Sequence, residues 1–432
     1  MNKENKLVPK LRFPEFQSEW NSFLLGDVSK LITEKAGTKK YKLLSVTAGV
    51  GLVSQLEKFG REIAGESYKN YYVIRKGDFA YNKSSVKIHP EGQIALLENE
   101  EFGAVPNSIF TWFRVNTENI VPSFLKYPFE NNIHGNWLKN FIAVGARANG
   151  ALNVDNKDLL SLPIPLTSIA EQQKIASCLS SLDELIVAHT DKLEALKDHK
   201  KGLMQQLFPA EGETVPKLRF KEFENDGEWV EKTIGDFIES HKGGAPLTPS
   251  DFATTSESEV IPKKAIGEGM WLKIEAPVYC SEKFYKNNEQ SIVDNTYLIT
   301  TLRDLVPSGP NIGYIVKYNN SKKYILAQGV YGLKIKDNLF PDLLIHFSNT
   351  KRYRKSVNKI MVGSTQVHIR NGEFFKVKLN IPVNFDEQQK IANFLSSIDD
   401  EIIAQTQKIE GLKEHKKGLM QGLFPVVEGD LA

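Results

Sequence analysis

The sequence predicts an α+β fold in which two globular domains of mixed helix and strand are separated by two long helices, paired as an antiparallel coiled coil in a pseudo-two-fold internal repeat. The segment Glu171 to Pro209 returns as Glu387 to Pro425, with 27 of 39 positions identical and an offset of 387 − 171 = 216. A shorter segment, VPKLRFPEF from Val8, returns as VPKLRFKEF from Val215. Each pair of repeated segments encloses a region with short strand-like runs and one helical stretch, so the repeat defines the whole fold.

The composition is that of a globular chain. At 432 residues and 41% hydrophobic content it can fill two or three cores. No run of about 18 apolar residues is present and the amino end lacks the apolar core of a secretion signal, so we expect a cytoplasmic protein without a membrane partner. Cys178 and Cys280 stand in unlike contexts, which predicts buried thiols and no metal site. The net charge of +2 neither indicates nor excludes nucleic-acid binding.

The short segments introduce each globular part. Each is followed by a tryptophan (Trp20, Trp229) and then by Gly-Asp. The short segments are offset by 215 − 8 = 207 against 216 for the long ones, so one globular part is about nine residues longer. If the carboxyl end lies near the amino end, the arrangement closes with two-fold symmetry. A repeated scaffold with different inserts indicates one task performed on two targets.

The long segments predict helices with a heptad seam, because apolar positions alternate in steps of four and three. The predicted seam residues are Leu182, Ile186, His189, Leu193, Leu196, Leu203 and Leu207 in the first helix, and Ile398, Ile402, Gln405, Ile409, Leu412, Leu419 and Leu423 in the second. Lys200 and Lys416 occupy a further step in each seam, where a polar residue fixes register at a cost in stability.

Two features of these helices stay open at this point. Ser181 and Ser397 are possible N-caps, but the apolar stripe continues upstream, so the helices can also begin nearer Glu171. The span from Leu182 to Phe208 predicts a rod of roughly 40 Å. That is close to one turn of B-DNA, about 34–36 Å, although a spacer between protein-binding domains can have the same length.

The histidines of the long segments do not predict a metal site. His189 has Gln405 as its counterpart, so we interpret it as a packed or surface residue. His199 and His415 are repeated, but each lies beside lysines that repel a cation. We interpret them as solvated or interface residues.

The two globular parts follow the same broad order. The first predicts strand, a turn at Lys76 to Asp78, strand, a polar loop from Asn82 to Gly92, strand, then a helix and a glycine-rich loop. Pro122 to Gly145 is 23 steps in the first part, and Pro341 to Gly363 is 22 in the second. We therefore predict one shared fold with different loops.

Those loops carry the side chains that recognise base edges and phosphates. The candidate base-contacting residues are Asn82, Lys83, Ser84, Ser85, Lys87, Arg147 and Asn149 in the first domain, and Thr300, Thr301, Arg303, Ser364, Thr365, Gln366, His368 and Arg370 in the second. The candidate phosphate-contacting residues are Lys39, Lys40, Lys263, Lys264, Lys322 and Lys323, with Lys351, Arg352 and Arg354 in the run KRYRK.

Catalytic motifs are missing from the sequence. It contains no GxxxxGK[ST] phosphate loop, no Asn-Pro-Pro-aromatic tetrapeptide of amino-methyltransferases, no HExxH, no GxSxG and no paired CxxC. We therefore predict no catalytic residues and no enzyme activity for the chain itself.

The combination of motifs resembles a known family, the specificity subunits of type I restriction-modification systems. The resemblance rests on the twice-used pattern IP…EQQKIA…LSS[LI]D…LFP, on VPKLRF…W…GD, and on two variable domains between them. It covers nearly the whole chain. It implies a non-catalytic subunit that recognises a split double-stranded DNA target, one half per domain, with the helices as the spacer.

The resemblance also implies partners and boundaries. Two methyltransferase subunits would dock on the repeated regions and restriction subunits would join through them, with S-adenosylmethionine bound by the methyltransferase and no cofactor bound by this chain. The expected domains are a first target-recognition domain (residues 1–166), a central long helix (167–209), a second target-recognition domain (210–383), a C-terminal long helix (384–425) and a tail (426–432).

A different class of function fits the same pattern. A coiled-coil scaffold could hold two protein-binding domains apart without contacting DNA. Salt dependence separates the two, since DNA binding through several phosphates weakens by orders of magnitude between about 50 and 200 mM salt, whereas an apolar protein contact hardly changes.

Overall fold

The structure is a computed structural model that describes residues 7–47, 50–61, 65–84, 87, 89–106, 110–142 and 152–426. The chain divides into two compact units. Unit 1 comprises Met1–His189 and Lys408–Ala432, and unit 2 comprises Thr190–Gln407. Each unit therefore combines one globular domain with a part of each long helix.

The elements up to the end of the first long helix alternate short strands and helices. The strands are β1 (Asn21–Leu24), β2 (Ser29–Leu31), β3 (Leu44–Thr47), β4 (Gly51–Ser54), β5 (Tyr72–Arg75), β6 (Phe79–Asn82), β7 (Gln93–Leu96), β8 (Phe102–Val105), β9 (Phe110–Val115) and β10 (Pro163–Leu166). The helices are α1 (Leu25–Val28), α2 (Gln55–Phe59), α3 (Pro122–Glu130), α4 (Ile133–Leu138), α5 (Asn156–Leu160) and α6 (Ile169–Leu207).

The remaining elements follow the same plan with more strands. These strands are β11 (Val230–Thr233), β12 (Ile238–Gly243), β13 (Phe252–Ala253), β14 (Glu259–Ile261), β15 (Tyr279–Cys280), β16 (Ile292–Val293), β17 (Leu298–Thr301), β18 (Arg303–Asp304), β19 (Ile315–Val316), β20 (Tyr324–Leu326), β21 (Val330–Ile335), β22 (Val367–His368) and β23 (Lys378–Ile381). The helices are α7 (Glu282–Asn287), α8 (Pro341–Ser348), α9 (Lys351–Ile360), α10 (Asn371–Phe375) and α11 (Phe385–Leu423).

The two globular domains contain the same central sheet. In unit 1 a four-stranded antiparallel sheet has the order β2-β9-β6-β7, and in unit 2 the order is β12-β21-β17-β19. In each domain, the strand just before the long helix also pairs with the strand that follows the short repeated segment VPKLRF. β10 pairs with β1, and β23 pairs with β11. This confirms that the two domains share a fold. The second adds a five-stranded sheet, β13-β15-β14-β20-β16, in which β14 and β20 are parallel.

The repeated aromatic residues meet in the core of each unit. In unit 1 Phe424, from the repeated LFP, lies 6.4 Å from Trp20 between ring centroids. In unit 2 its counterpart Phe208 lies 6.3 Å from Trp229. All four side chains are buried. The repeated tryptophan and LFP segments therefore attach the end of a long helix to the start of a globular domain.

The long helices pair antiparallel within each unit. In unit 2 Leu207 of α6 shares a core with Ile391 of α11, and Lys200, earlier on α6, forms an ion pair with Asp399, later on α11. Unit 1 repeats the pattern between the start of α6 and the end of α11. Residue numbers rise on one helix as they fall on the other, which confirms the predicted pairing.

The structure resolves where the helices begin. They start at Ile169 and Phe385, so Ser181 and Ser397 lie inside them and are not caps. Every predicted seam residue is buried or half-buried, whereas most positions between them are exposed. The heptad pattern therefore identified the packed face correctly.

The repeated Glu-Gln pair at the start of each long helix fastens the domain to the helix. The fully buried carboxylate of Glu171 receives two hydrogen bonds of 2.8 Å from Arg12, and Glu387 receives equivalent bonds from Arg219. Gln172 accepts a hydrogen bond from the backbone N–H of Val121, just before α3. Gln388 does the same for Phe340, just before α8.

Candidate nucleic-acid interface

The predicted polar loops after β6 and β17 begin at equivalent places in the two domains. In unit 1 the polar loop after β6 meets the segment that follows the glycine-rich loop, since the N–H of Leu152 donates to the carbonyl of Lys83 at 2.8 Å. In unit 2 the N–H of Ile369 donates to the carbonyl of Leu302, just after β17, at 2.9 Å. β6 and β17 are the third strands of the two equivalent sheets. In each domain the structure therefore joins the start of one loop to a segment that is far from it in sequence.

Two cationic candidates and one histidine of unit 2 gather beside β17. Arg303 in β18 is paired across the ladder with His368 in β22. Lys263 lies against the same spot, because a Cβ at Gly329 would lie 2.9 Å from Cβ of Arg303 and 3.4 Å from Cε of Lys263. Burial, with added repulsion from Arg303, lowers the pKa of Lys263. We call Lys263, Arg303 and His368 the Arg303 cluster.

A tight loop presents further polar candidates next to this cluster. The N–H of Val362 donates to the carbonyl of His368 at 3.0 Å and the N–H of His368 returns the bond at 2.9 Å, which closes residues 363–367 into a hairpin. Gly363 has φ +117°, and a Cβ there would lie 2.0 Å from the carbonyl oxygen of Gln366, so only glycine fits. The side chains that this segment exposes are Ser364, Thr365, Gln366, His368 and Arg370.

A buried carboxylate braces the loop on the other side of the cluster. Asp304 accepts hydrogen bonds from the N–H of Val306 at 3.2 Å and from that of Asn311 at 3.1 Å. Asp304 as a whole is only 8% exposed. Reasoning from the sequence missed this aspartate, although its position directly after Arg303 in a loop with two prolines is typical of an Asx residue that braces a loop.

Two candidates of unit 2 are contradicted. Thr300 and Thr301 are fully buried, so they do not face a ligand. The hydroxyl of Thr301 is within hydrogen-bond distance of the carbonyl oxygens of Arg303 and Gly329, to which it can donate. It thereby supports the backbone that carries the Arg303 cluster. The prediction failed because β17 is covered on both faces, with Leu298 in one core and Ile299 in another.

The arginines of the run KRYRK serve the domain itself. The guanidinium of Arg354 stacks on Tyr314 at 3.8 Å and donates to the carbonyl of Ile312 at 2.7 Å. Arg352 donates to the carbonyl of Pro209 at 3.2 Å and to Oδ1 of Asn380 at 3.3 Å. Both guanidinium groups are thus engaged within the domain, and a phosphate contact by Arg352 or Arg354 stays a prediction.

The remaining lysine candidates differ in whether their side chains form an ion pair within the protein. Lys322 is ion-paired with Glu259. The other lysine candidates with exposed side chains are Lys39, Lys40, Lys87, Lys264, Lys323 and Lys351. Exposed lysines are compatible with phosphate contacts but do not by themselves define a site.

The candidate loop of unit 1 is only partly described. Oδ1 of Asn82 accepts a hydrogen bond from the N–H of Ser84 at 3.0 Å, and Nζ of Lys83 donates to the carbonyl of Val154 at 2.6 Å. Lys83 therefore ties the loop to the segment before α5. The predictions for Ser85, Arg147 and Asn149 fall outside the described residues.

Within the described ranges, no group of three or more His, Cys, Asp or Glu side chains is placed to hold a metal ion. No helix in the same part of the chain is long and apolar enough to cross a membrane.

Comparison with known proteins identifies the family. The family described as type I restriction modification DNA specificity domain matches this chain twice, over residues 17–198 and 226–414. These two matches cover most of the chain and coincide with the internal repeat. The chain belongs to this family, and it is a DNA-specificity subunit of a type I restriction-modification system.

Two curated relatives agree with that assignment. The type I restriction enzyme MjaVIII specificity subunit of Methanocaldococcus jannaschii is 25% identical over 293 residues, covering 66% of this chain and 67% of the relative. The MjaX specificity subunit described from the same organism is 24% identical, covering 96% of this chain and 95% of the relative.

Two solved structures share the fold at low identity. The type I restriction-modification S subunit from M. genitalium has a TM-score of 0.57 at 14% identity, covering 97% of this chain and all of that one. A chain from work on complex assembly and conformational transition of the type I R-M system has a TM-score of 0.55 at 18% identity, covering 95% and 98%. Both likenesses concern the fold.

Proposed function

We propose that this chain recognises a bipartite double-stranded DNA target, one half with each globular domain, and that its two long helices set the distance between the halves. Two methyltransferase subunits dock on the repeated regions, and restriction subunits join through them. S-adenosylmethionine binds to the methyltransferase subunits, and this chain contributes specificity without catalysis.

The observation that carries the proposal is the shared place of two different loops. Both domains present a polar loop at the end of the third strand of the same sheet, and a backbone hydrogen bond joins the residue after that strand to the segment before α5 in one domain and before α10 in the other. The frame is repeated, whereas the side chains on it differ: Asn82 and Lys83 in one domain, Arg303 and His368 in the other. That is the arrangement expected of two readers with one binding mode and two sequences.

The chemistry of the exposed side chains supports DNA as the ligand. Arginine donates a bidentate pair to guanine, glutamine pairs with adenine, and serine and threonine bond either. The hairpin at 363–367 and the Arg303 cluster offer these groups on a braced backbone. A preorganised loop loses little conformational freedom on binding, which favours discrimination between bases.

The proposal is tested by DNA binding of the full chain in fluorescence anisotropy. We expect affinity for its target to fall by orders of magnitude between about 50 and 200 mM salt. Arg303→Ala should cost about 1–3 kcal/mol of specific binding and relax discrimination at one base pair. Lys283→Ala, which removes an exposed cation outside both loops, serves as the matched control and should change little.

The rival scaffold function predicts the opposite. A chain that only holds protein-binding domains apart would show no target-specific DNA binding at any salt concentration, and Arg303→Ala would behave like Lys283→Ala. Either result would refute the proposed function.

A further inference from the structure

Arg303 and His368 lie on a two-stranded ribbon. Strands β18 and β22 form a separate antiparallel sheet, in which these two residues are paired. The next pair along the ribbon is Asp304 with Val367. Both residues of that second pair are buried, whereas Arg303 is half-buried and His368 is exposed. Because successive side chains on a strand point to opposite faces, one face of the ribbon packs on the domain and the other is open.

The open face of the ribbon extends by one residue on each strand. Leu305 follows the last pair on one strand and Gln366 precedes it on the other, so the two residues are neighbours at the end of the ribbon. Both are exposed. On each strand one buried residue separates them from the first pair, so Leu305 and Gln366 share the open face with Arg303.

Leu305 belongs to a group of exposed apolar residues. It is 61% exposed, its neighbour Val306 is 48% exposed, and Val362 at the base of the hairpin is 45% exposed. A Cβ at Gly309 would lie 2.7 Å from Sδ of Met361, so the loop that carries Leu305 packs against the start of the hairpin. Contact of apolar surface with water is unfavourable, and large exposed apolar groups on a folded protein mark contact surfaces. The group therefore indicates a contact surface beside the Arg303 cluster.

The backbone around Leu305 is fixed, and the nearby guanidinium is free. The buried carboxylate of Asp304 accepts a hydrogen bond from the N–H of Val306, the residue directly after Leu305. In the described part of the chain, the guanidinium of Arg303 forms no hydrogen bond or ion pair with the protein. Its donors can therefore bind a ligand, and the braced loop loses little conformational freedom when a ligand covers it.

One kind of base pair offers partners for a leucine and a glutamine that lie side by side. In the major groove an A·T pair presents N7 and the N6 amino group of adenine beside the C5-methyl group of thymine. Glutamine pairs with the adenine edge, and an apolar side chain contacts the methyl group. A two-stranded ribbon also fits into the major groove. Leu305 and Gln366 together therefore match an A·T pair, whereas a G·C pair presents no methyl group.

The ribbon also relates this base pair to a second contact. Residues two apart on a strand are about 6.7 Å apart, and stacked base pairs are about 3.4 Å apart. Arg303 and Leu305 are two residues apart, and the arginine side chain suits guanine. Along a groove the two side chains therefore reach bases about two pairs apart in the same half of the target.

We propose that the β18–β22 ribbon enters the major groove at the half of the target read by the second domain, and that Leu305, with Gln366, reads an A·T pair through the methyl group of thymine. This inference rests on the proposed function and adds an apolar specificity residue and the base pair that it reads. Leu305 lies outside the candidates that polarity and charge select. The cations of the Arg303 cluster attract the duplex to this face, and the apolar contact discriminates between bases.

The test measures binding of the full chain to duplexes that carry its target, by fluorescence anisotropy. Each thymine in the half read by the second domain is replaced in turn by deoxyuridine, which lacks only the C5-methyl group. One such replacement should weaken binding about fourfold, the loss expected when one methyl group leaves an apolar contact. Leu305→Ala should weaken binding to the thymine-containing target about tenfold and abolish the response to deoxyuridine, whereas Leu305→Met should keep most of both.

A matched control uses the same substitution elsewhere. Leu185→Ala truncates an exposed leucine of α6, outside both globular domains. This variant should bind the thymine and deoxyuridine duplexes as the unaltered chain does. Thermal unfolding of each variant checks that these exposed substitutions leave the fold intact.

The results separate this inference from the proposed function. If no deoxyuridine changes the affinity of the unaltered chain, or if this half contains no thymine, the inference is overturned, while target-specific binding still supports the proposed function. A Leu305→Ala variant that still distinguishes thymine from deoxyuridine also overturns it. So does weaker binding of that variant when the unaltered chain binds thymine and deoxyuridine alike, a pattern that indicates insertion between base pairs. If the unaltered chain does not prefer its target to a scrambled duplex, the proposed function itself fails.

Discussion

At the residue scale, the paired helices are joined by lysine–aspartate pairs inside the seam. Nζ of Lys200 lies 2.6 Å from Oδ1 of Asp399, and the two side chains are 12% and 13% exposed. Burial raises the pKa of Asp399, while the ammonium of Lys200 opposes that rise. In the equivalent pair of the repeat, Nζ of Lys416 lies 2.6 Å from a carboxylate oxygen of Asp183 and also 2.8 Å from one of Glu130. These pairs allow only one alignment of the two helices, because a slip would bury a charge without its partner.

Removing one member of the better-buried pair should therefore be costly. Lys200→Met leaves the carboxylate of Asp399 buried and unpaired, and we expect a loss of about 3–5 kcal/mol in the free energy of unfolding. Replacing both members, Lys200→Met with Asp399→Leu, should restore most of it. Urea unfolding measures both variants, and a single variant as stable as the unaltered chain would contradict a role for the pair in alignment.

Two buried histidines predict how stability depends on pH. Burial lowers the pKa of His134 in unit 1 to about 4, and burial together with the charge of Lys200 lowers that of His346 in unit 2 to about 3. In the unfolded chain both titrate near 6.5. Between these values the unfolded state binds more protons, so stability is fully present above about pH 6.5 and falls as the pH is lowered toward 4. The raised pKa of Asp399 opposes this trend in unit 2, which makes His134 the cleaner probe.

A non-titrating residue at position 134 should flatten the profile. From pH 7 to pH 5, His134 alone should account for a loss of about 2 kcal/mol. His134→Gln should be less stable at pH 7, because the site is fully buried, but should lose about 2 kcal/mol less than the unaltered chain over that interval. Equal slopes for both proteins would show that His134 is not held neutral.

The sequence indicates exposed candidate residues only where one face of their strand is buried and the other is exposed. Ser364 to Gln366, His368 and Arg370, predicted as base-contacting residues, have exposed side chains, and the buried residues Val367 and Ile369 alternate with the last two of them. The burial of Thr300 and Thr301 was not predicted, because a strand buried on both faces has no alternation to reveal it. The DNA contacts themselves stay a prediction.

At the element scale, both long helices run without interruption for 39 residues, about 58 Å at 1.5 Å per residue. The heptad pattern predicted their packed faces, and the closed order of the repeat predicted their antiparallel pairing. It did not identify Asp183 and Asp399 as partners of the seam lysines, because a pairing register cannot be read from one helix. It also left the helix starts open, since the anchoring of Glu171 and Glu387 by distant arginines is a tertiary contact.

A change in helix length tests the spacer role. Inserting one heptad into both α6 and α11, at matched positions, should lengthen the gap between the two halves of the DNA target by roughly 10 Å, or about three base pairs. The helices must be changed together to keep the seam in register. The modified bases in cellular DNA report the gap, and an unchanged gap would rule out the helices as the spacer.

At the scale of the whole molecule, the internal repeat separates what is constant from what varies. The constant part contains the arginine–glutamate ion pairs, the glutamine side chains that accept hydrogen bonds from Val121 and Phe340, the paired helices, and the contacts between the repeated tryptophan and phenylalanine rings. The sequence predicted this division, because the repeated motifs are long and their spacing is regular. It could not predict the extra five-stranded sheet of unit 2, whose two- and three-residue strands leave no periodic signal.

The central claim is that each globular domain reads one half of the target independently. The most direct measurement exchanges residues 24–160 for the corresponding domain of another family member, expresses the chimera with its methyltransferase, and maps the methylated sequence in genomic DNA. We predict that one half of the recognised sequence changes while the other half and the gap stay the same. A change in both halves, or in neither, would contradict the assignment of one half to each domain.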